Sequence, residues 1–278
     1  MKLQLLLPTP RIPSVNELYL FNKTTGEVYK NPEVTRVIDQ MRTFLADNYR
    51  LSYFRFLNRK SIVQISYDFI VRKSVLRRDV SNMIKSVQDI ITRYIGIDDS
   101  QVISLYARKS FKKDLVLEYV NITIEDNFEI TTPRLVNPII IPVEYIPSIN
   151  NTYGYDPGSK QVYKETWIHV TEKKIQDYLR KTVMRSQYRF VTNNNRFVCH
   201  YDFFLNKFYE PLGIGVEKSR DADNLIKVVE DAIFRFFGVD DSRVLEIYAR
   251  KHNLPRAGSE YIAFSIEESN YDINSFQV

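Results

Sequence analysis

Cysteine is nearly absent from this chain of 278 residues: Cys199 stands alone, so neither an intrachain disulfide nor a thiolate metal cluster can form. Histidine is scarce as well. His169, His200 and His252 lie far apart with no ligand spacing, which argues against zinc. Long apolar runs are missing. The stretch from Leu3 to Leu7 ends at Pro8, too short for a secretory segment or a membrane span, and reads instead as a buried strand. With no span anywhere else, a cytoplasmic protein with no membrane partner is expected. Glycine is sparse, at eight residues, and no segment is of low complexity, so disorder is expected only near the ends.

What is present suits a folded protein: 44% hydrophobic and 26% charged residues can build and solvate real cores. The net charge of +5 is unevenly placed. Residues 1–134 hold 21 Lys and Arg against 15 Asp and Glu, and the remainder holds 18 against 19. A basic half can hold a polyanion, and an acidic half suits a cation.

Self-similarity organises the rest. Ile12-Pro13-Ser14-Val15-Asn16 recurs as Ile146-Pro147-Ser148-Ile149-Asn150, and Tyr67-Asp68-Phe69 as Tyr201-Asp202-Phe203, both at an offset of 134. Beyond Phe203 the offset becomes 142, and Asp79 to Lys109 aligns with Asp221 to Lys251 with 17 identities in 31 positions. Tyr106-Ala107-Arg108-Lys109 and Tyr248-Ala249-Arg250-Lys251 close the two runs identically. A tandem duplication is the expectation, with units at 1–130 and 135–270 and a polar tail at 271–278. The change of offset marks eight extra residues in the second copy, through Glu210-Pro211-Leu212-Gly213-Ile214-Gly215, whose Gly and Pro read as a loop.

Each copy reads β-α-β-α-β-β. Asn31-Pro32 is an N-cap and N1 pair, followed by a helical stripe at Val34, Val37, Ile38, Met41, Phe44 and Leu45. Ser61 to Val71 is a strand rich in β-branched and aromatic residues. Val80, Met83, Ile84, Val87, Ile90, Ile91, Tyr94 and Ile95 then form the strongest buried stripe. The second copy keeps it at Ala222, Leu225, Ile226, Val229, Ala232, Ile233, Phe236 and Phe237. Gly96 and Gly238 end the two helices, and strands follow near 101–109, 115–125, 243–251 and 260–267. The fold class is α/β (α+β): two modules, each a mixed sheet with two helices on one face, forming an intramolecular pseudo-dimer.

The chemistry gathers at the start and end of the second long helix. Asp221 caps it, Asp223 lies on the first turn, and Lys227, four residues on, shares the face of Asp223. Asp240 and Asp241 follow its end. Carboxylates converging from a helix start and a strand start would make a hard oxygen site for Mg²⁺ or Mn²⁺, and a neighbouring lysine could neutralise a phosphate. Capping and turn chemistry alone also favour aspartate at these places.

Arg220-Asp221-x-Asp223-Asn224-Leu225-x-Lys227, a helix of about four turns, then Asp240-Asp241-x-x-Val244 resembles the signature of the RusA-type Holliday junction resolvases. Pro147-Ser148-x-Asn150 is similar to that family's early segment. The resemblance implies a phosphodiester-cleaving enzyme acting on branched DNA, with Asp221, Asp223 and Asp241 binding divalent metal and Lys227 assisting. Asp240 is an adjacent candidate. It also implies a pairing of modules, because the family acts as homodimers of one short chain, and it suggests a phage source, hence a host cytoplasm.

The first copy departs from that signature: Ser81 stands where Asp223 lies, although Asp79, Lys85, Asp98 and Asp99 remain. Serine is a weaker ligand for a hard dication, so this half is expected to be degenerate and to serve in holding substrate. Its basic residues Arg72, Lys73, Arg77, Arg78, Arg108, Lys109, Lys112 and Lys113 are candidate DNA contacts, with Lys218, Arg220, Arg250 and Lys251 in the second copy. The expectation is a Mg²⁺-dependent, structure-selective endonuclease with one intact centre per chain. Two symmetric cuts would then require an assembly of chains. The alternative is a non-catalytic junction-binding or scaffolding subunit.

Overall fold

The computed structural model describes residues 1–22, 25, 28–58, 61–72, 78–126, 135–144, 146, 153–156, 161–164, 166–206, 220–254 and 258–270. The second-copy loop through Glu210 to Gly215, most of the Ile146 to Asn150 repeat and the tail 271–278 lie outside the described residues.

The first half runs β1 (Lys2–Thr9), β2 (Tyr19–Phe21), β3 (Val28–Lys30), α1 (Pro32–Asn48), β4 (Val63–Val71), α2 (Val80–Ile95), β5 (Val102–Phe111) and β6 (Glu118–Asp126). The second runs β7 (Ile139–Val143), β8 (Tyr153–Asp156), β9 (Gln161–Lys164), α3 (Thr166–Thr182), β10 (Phe197–Leu205), α4 (Ala222–Phe237), β11 (Val244–Asn253) and β12 (Glu260–Glu268). The expected order is thus present in each half with one addition, a short hairpin before the first helix: β2 with β3, and β8 with β9.

Helix ends follow the local chemistry. Asn31 caps α1, its side chain accepting from the Glu33 amide, with Pro32 at the first helical position. Gly96 and Gly238 end α2 and α4 in the left-handed region, at φ +78° and +71°, where other residues are strained. The apolar stripes of α2 and α4 are buried almost completely.

Eight strands form one mixed sheet in the order β1-β6-β4-β5-β11-β10-β12-β7. Strands that lie 134 or 142 residues apart in sequence hold mirror places about its centre. At that centre β5 and β11 run antiparallel with Tyr106 opposite Tyr248, the ring centroids 4.6 Å apart. Within each half β4 pairs parallel with β5, and β10 with β11, as a strand–helix–strand crossover requires. Alternation along β4 buries Val63, Ile65, Tyr67 and Phe69 beneath the helices. No described helix is long and apolar enough to cross a membrane.

The central β5–β11 pairing decides where the site lies. Because β11 runs against β5, the start of β11 lies beside the end of β5. The turn before β11, which carries Asp240 and Asp241, therefore meets the start of α2. The helices α2 and α4 pack antiparallel, with Ser81 against Glu230 and Gln88 against Asp223.

Candidate active site

Helix α4 separates Asp221, at its start, from Asp240 and Asp241 beyond its end. Sixteen helical residues rise about 24 Å. Asp221, Asp223 and Asp241 accordingly do not form the triad expected from the sequence. Among the described residues, the carboxylates that bring oxygens within 4.8 Å of one another are Asp79 of the first half and Asp240 and Asp241 of the second. The halves exchange their acidic turns, and each helix start faces the strand start of the other half.

One cluster therefore contains Asp79 and Ser81 from α2 and its cap, facing Lys227, Glu230, Asp231, Asp240 and Asp241. Lys227 Nζ lies 2.9 Å from Asp241 Oδ2, 2.9 Å from Asp231 Oδ1 and 3.9 Å from Asp79 Oδ2. The Ser81 hydroxyl donates to Glu230 Oε2. The opposite cluster contains Asp221 and Asp223 facing Lys85, Gln88, Asp89, Asp98 and Asp99. There Lys85 Nζ lies 3.2 Å from Asp223 Oδ2 and 3.4 Å from Asp89 Oδ1, and Gln88 Nε2 donates to Asp223 Oδ1 at 3.1 Å.

The adjacent aspartates divide their work. Asp98 and Asp240 are turn caps, accepting from the amides of Ser100 and Ser242 at 2.9 and 2.8 Å. Asp79 and Asp221 sit at helix caps, yet neither side chain accepts a capping hydrogen bond. Each accepts instead from the amide of the asparagine three residues on, Asn82 or Asn224. Capping therefore accounts for Asp98 and Asp240 and leaves Asp79 and Asp221 unexplained as helix stabilisers.

Electrostatics mark both clusters as overloaded with negative charge. Burial and then the Asp241 charge raise Asp79 to about 6, against the pull of Lys227 and Lys109. Burial is the main cause at Asp99, pushed up to about 7 with help from Asp223, Asp89 and Asp221, although a Thr92 hydrogen bond opposes it. Burial likewise lifts Glu230 to about 8, Asp241 adding and Lys227 opposing. Burial would lower Lys85 and Lys227, but their carboxylate neighbours outweigh it and hold both above the ordinary lysine value.

Four basic residues expected at DNA are structural. Arg78 and Arg220 are buried against Glu118 and Glu260, at 2.6 and 2.5 Å, and these carboxylates also accept backbone amides of the chain entering the site. Lys109 and Lys251 are buried beneath the helices, where no phosphate reaches. Lys109 Nζ donates at 2.6 Å to both the Arg78 and Ser242 carbonyls, and Lys251 Nζ donates to the Ser100 and Arg220 carbonyls at 2.7 and 3.0 Å. Each lysine ties a helix start of one half to the acidic turn of the other. Burial lowers them to about 7 and about 8.

Arg108 pairs with Asp68 at 2.8 Å on the face away from the helices, and Arg250 is half-buried near Asp202. Arg72 donates to the Val116 carbonyl. Lys112 is half-buried and Lys113 exposed, both free of such placement beneath the helices. Lys73, Arg77 and Lys218 lie outside the described residues.

Sequence reading passed over Asp89, Asp231, Gln88 and Glu230. Asp89 and Asp231 follow Lys85 and Lys227 by four residues, so helical spacing alone could have placed them on the lysine face. Glu230 carried no such signal beyond standing at the position equivalent to Gln88 in the repeat.

Residues 8–125 match the family model described as Endodeoxyribonuclease RusA. The match covers less than half of the chain and falls on the half that carries Ser81. No curated protein matches the chain.

Proposed function

From the match of residues 8–125 to the Endodeoxyribonuclease RusA model, we propose that the chain is a RusA-type, Mg²⁺-dependent, structure-selective nuclease of branched DNA whose centres are built jointly by its two halves. The observation that carries this is the meeting of Asp79 with Asp240 and Asp241, carboxylate oxygens within 4.8 Å of one another and contributed from both halves.

The donor set fits a hard dication. It is all oxygen, and carboxylates outnumber the cations beside them, so mutual repulsion in a partly buried place is relieved by a divalent ion. Asp79 and Asp241, with Asp240, would hold an ion on one side, and Asp221, Asp223 and Asp99 on the other. When bound, such an ion activates water and stabilises the charge of an in-line displacement at phosphate. The residues around it do the remaining work. Lys227 and Lys85 stay protonated under their carboxylate neighbours, and each can offer an N–H to a phosphate or leaving oxygen. Asn82 and Asn224 orient Asp79 and Asp221. Lys109 and Lys251 fix the spacing between helix start and acidic turn.

The chain is on this reading a tandem duplication folded as its own dimer, with units at 1–130 and 135–270. The mirrored strand order about Tyr106 and Tyr248 supports it. Two centres on one chain suit a four-way junction, which needs two symmetric cuts. The test is cleavage of a synthetic four-way junction with and without Mg²⁺, using Asp79→Asn and Asp223→Asn. Metal-independent cleavage, or cleavage untouched by both substitutions, would sink the proposal. Salt-sensitive junction binding without any nicking would instead favour the scaffolding role.

A further inference from the structure

The two clusters differ in a compensating way. Where Asp223 faces Gln88 across the α2–α4 contact, the mirror position sets Ser81 against Glu230. A carboxylate and a neutral side chain have exchanged helices, so each cluster keeps five carboxylates: Asp79, Glu230, Asp231, Asp240 and Asp241 in one, Asp89, Asp98, Asp99, Asp221 and Asp223 in the other. Glu230 is 1% exposed, and its Oε1 has no hydrogen-bond partner among the described residues, while Oε2 accepts from Ser81. The charges that act on it most strongly are those of Asp241, Lys227 and Asp79, the members of the same cluster. A buried carboxyl oxygen without a hydrogen-bond partner is costly unless something occupies it.

Resting on the metal-dependent reading above, we infer that Glu230 is a metal ligand that replaces the aspartate missing at Ser81, so that the chain holds two working divalent-ion centres rather than one. Ser81 then serves as a positioning residue, its hydroxyl holding one oxygen of Glu230 and leaving the other for the ion. The side chain reaches from α4 into the space that the aspartate would fill from α2, and glutamate has the extra methylene for it. Gln88, whose Oε1 also lacks a partner among the described residues, marks the same place in the other cluster but offers a neutral, weaker donor, as Asp223 already supplies the charge there.

The experiment counts Mn²⁺ bound to the full chain by calorimetry and electron paramagnetic resonance, alongside the products of junction cleavage. Two ions are expected for the unmodified chain, one for Glu230→Gln, one for Asp223→Asn and none for the two together. Ser81→Asp/Glu230→Gln, which copies the Asp223–Gln88 pair already tolerated in this fold, is expected to restore two. Glu230→Gln should also turn paired cuts into single nicks, and the double variant should restore the pairs. One ion in the unmodified chain, lost in Asp223→Asn and unaffected by Glu230→Gln, overturns the inference and the Asp79–Asp240–Asp241 centre with it, while metal-dependent nicking that persists would keep a nuclease with the Asp223 centre alone. Absence of any bound Mn²⁺, with no metal-dependent cleavage, overturns both. The unmodified chain and Asp223→Asn decide the question even where Glu230→Gln folds poorly.

Discussion

Glu260→Gln separates a structural arginine from a DNA-contacting one. Glu260 is 2% exposed and accepts both Nη atoms of Arg220 at 2.5 Å, together with the amides of Ile146 and Asn206. The substitution keeps shape and removes the carboxylate charge that faces the buried Arg220 guanidinium. Breaking a buried pair from one side costs about 3–5 kcal/mol, and since glutamine can still accept hydrogen bonds the lower figure, about 3 kcal/mol, applies. With a urea dependence of about 3 kcal/mol per molar, the unfolding midpoint falls by about 1 M. Equilibrium urea unfolding by fluorescence and circular dichroism measures it. Junction affinity, measured on folded protein with the metal omitted, should hold its salt dependence, because Arg220 reaches no phosphate. A loss of affinity with a shallower salt slope and an unmoved midpoint would refute this and return Arg220 to the DNA surface.

The metal-free protein should lose stability as pH rises from about 4 to about 7. Folded Asp79 and Asp99 titrate near 6 and 7 and Glu230 near 8, above their unfolded values of 3.8 and 4.5, so the folded state holds extra protons through that window and gives them up at its top. His200, lowered by burial, opposes the trend, as does Lys109 at the top of the window, lowered by burial to about 7; thermal melts at constant ionic strength in chelator check the net sign, and a rising melting temperature would contradict it. Mn²⁺ at about a hundred times its dissociation constant should stabilise by about 2.7 kcal/mol per site, roughly 5–10 °C in a chain of this size, with Glu230→Gln losing part of the gain. Gly238→Ala has open space but a φ of +71°, so its cost is the left-handed strain alone, about 1 kcal/mol by urea unfolding. Lys113→Ala, at an exposed site, should reduce the slope of log affinity against log salt by about 0.9 with no change in stability; an unchanged slope removes Lys113 from the interface.

The elements were legible wherever local chemistry decides them. The stripe from Val80 to Ile95 and the glycine after it describe α2 as found, and the repeat carries the same description to α4. The strand expected from Ser61 to Val71 is observed from Val63 to Val71. The hairpins β2–β3 and β8–β9 escaped notice because three- and four-residue strands carry too little alternation to register. The site was half legible. Its residue types stood in plain view, but their grouping depends on β5 pairing with β11, a contact between segments about 140 residues apart that no local pattern encodes. Helix length was the one clue against a centre within a single half, since α4 holds Asp221 and Asp241 apart. Nor does sequence distinguish Lys109 or Arg78, buried on carbonyls and a glutamate, from Lys113 at the surface: all are basic residues in a basic half.

On the reading that the halves share their centres, Ser81 changes meaning. Within one module it is a lost ligand, and the module is then a relic. Across the α2–α4 contact it faces a glutamate whose counterpart is a glutamine, and the charge lost on one helix is present on the other. In a homodimer of identical chains such an exchange would have to occur at both centres at once, since every copy carries the same residue at each position. A chain that contains both halves is free of that symmetry. One centre can keep its aspartate on the helix start while the other moves its carboxylate to the facing helix, because the two positions at each contact belong to separate codons. The asymmetry is therefore what covalent linkage of two such modules permits: it is confined to the facing pairs Ser81–Glu230 and Asp223–Gln88, while the carbonyl clamps of Lys109 and Lys251 are the same on both sides.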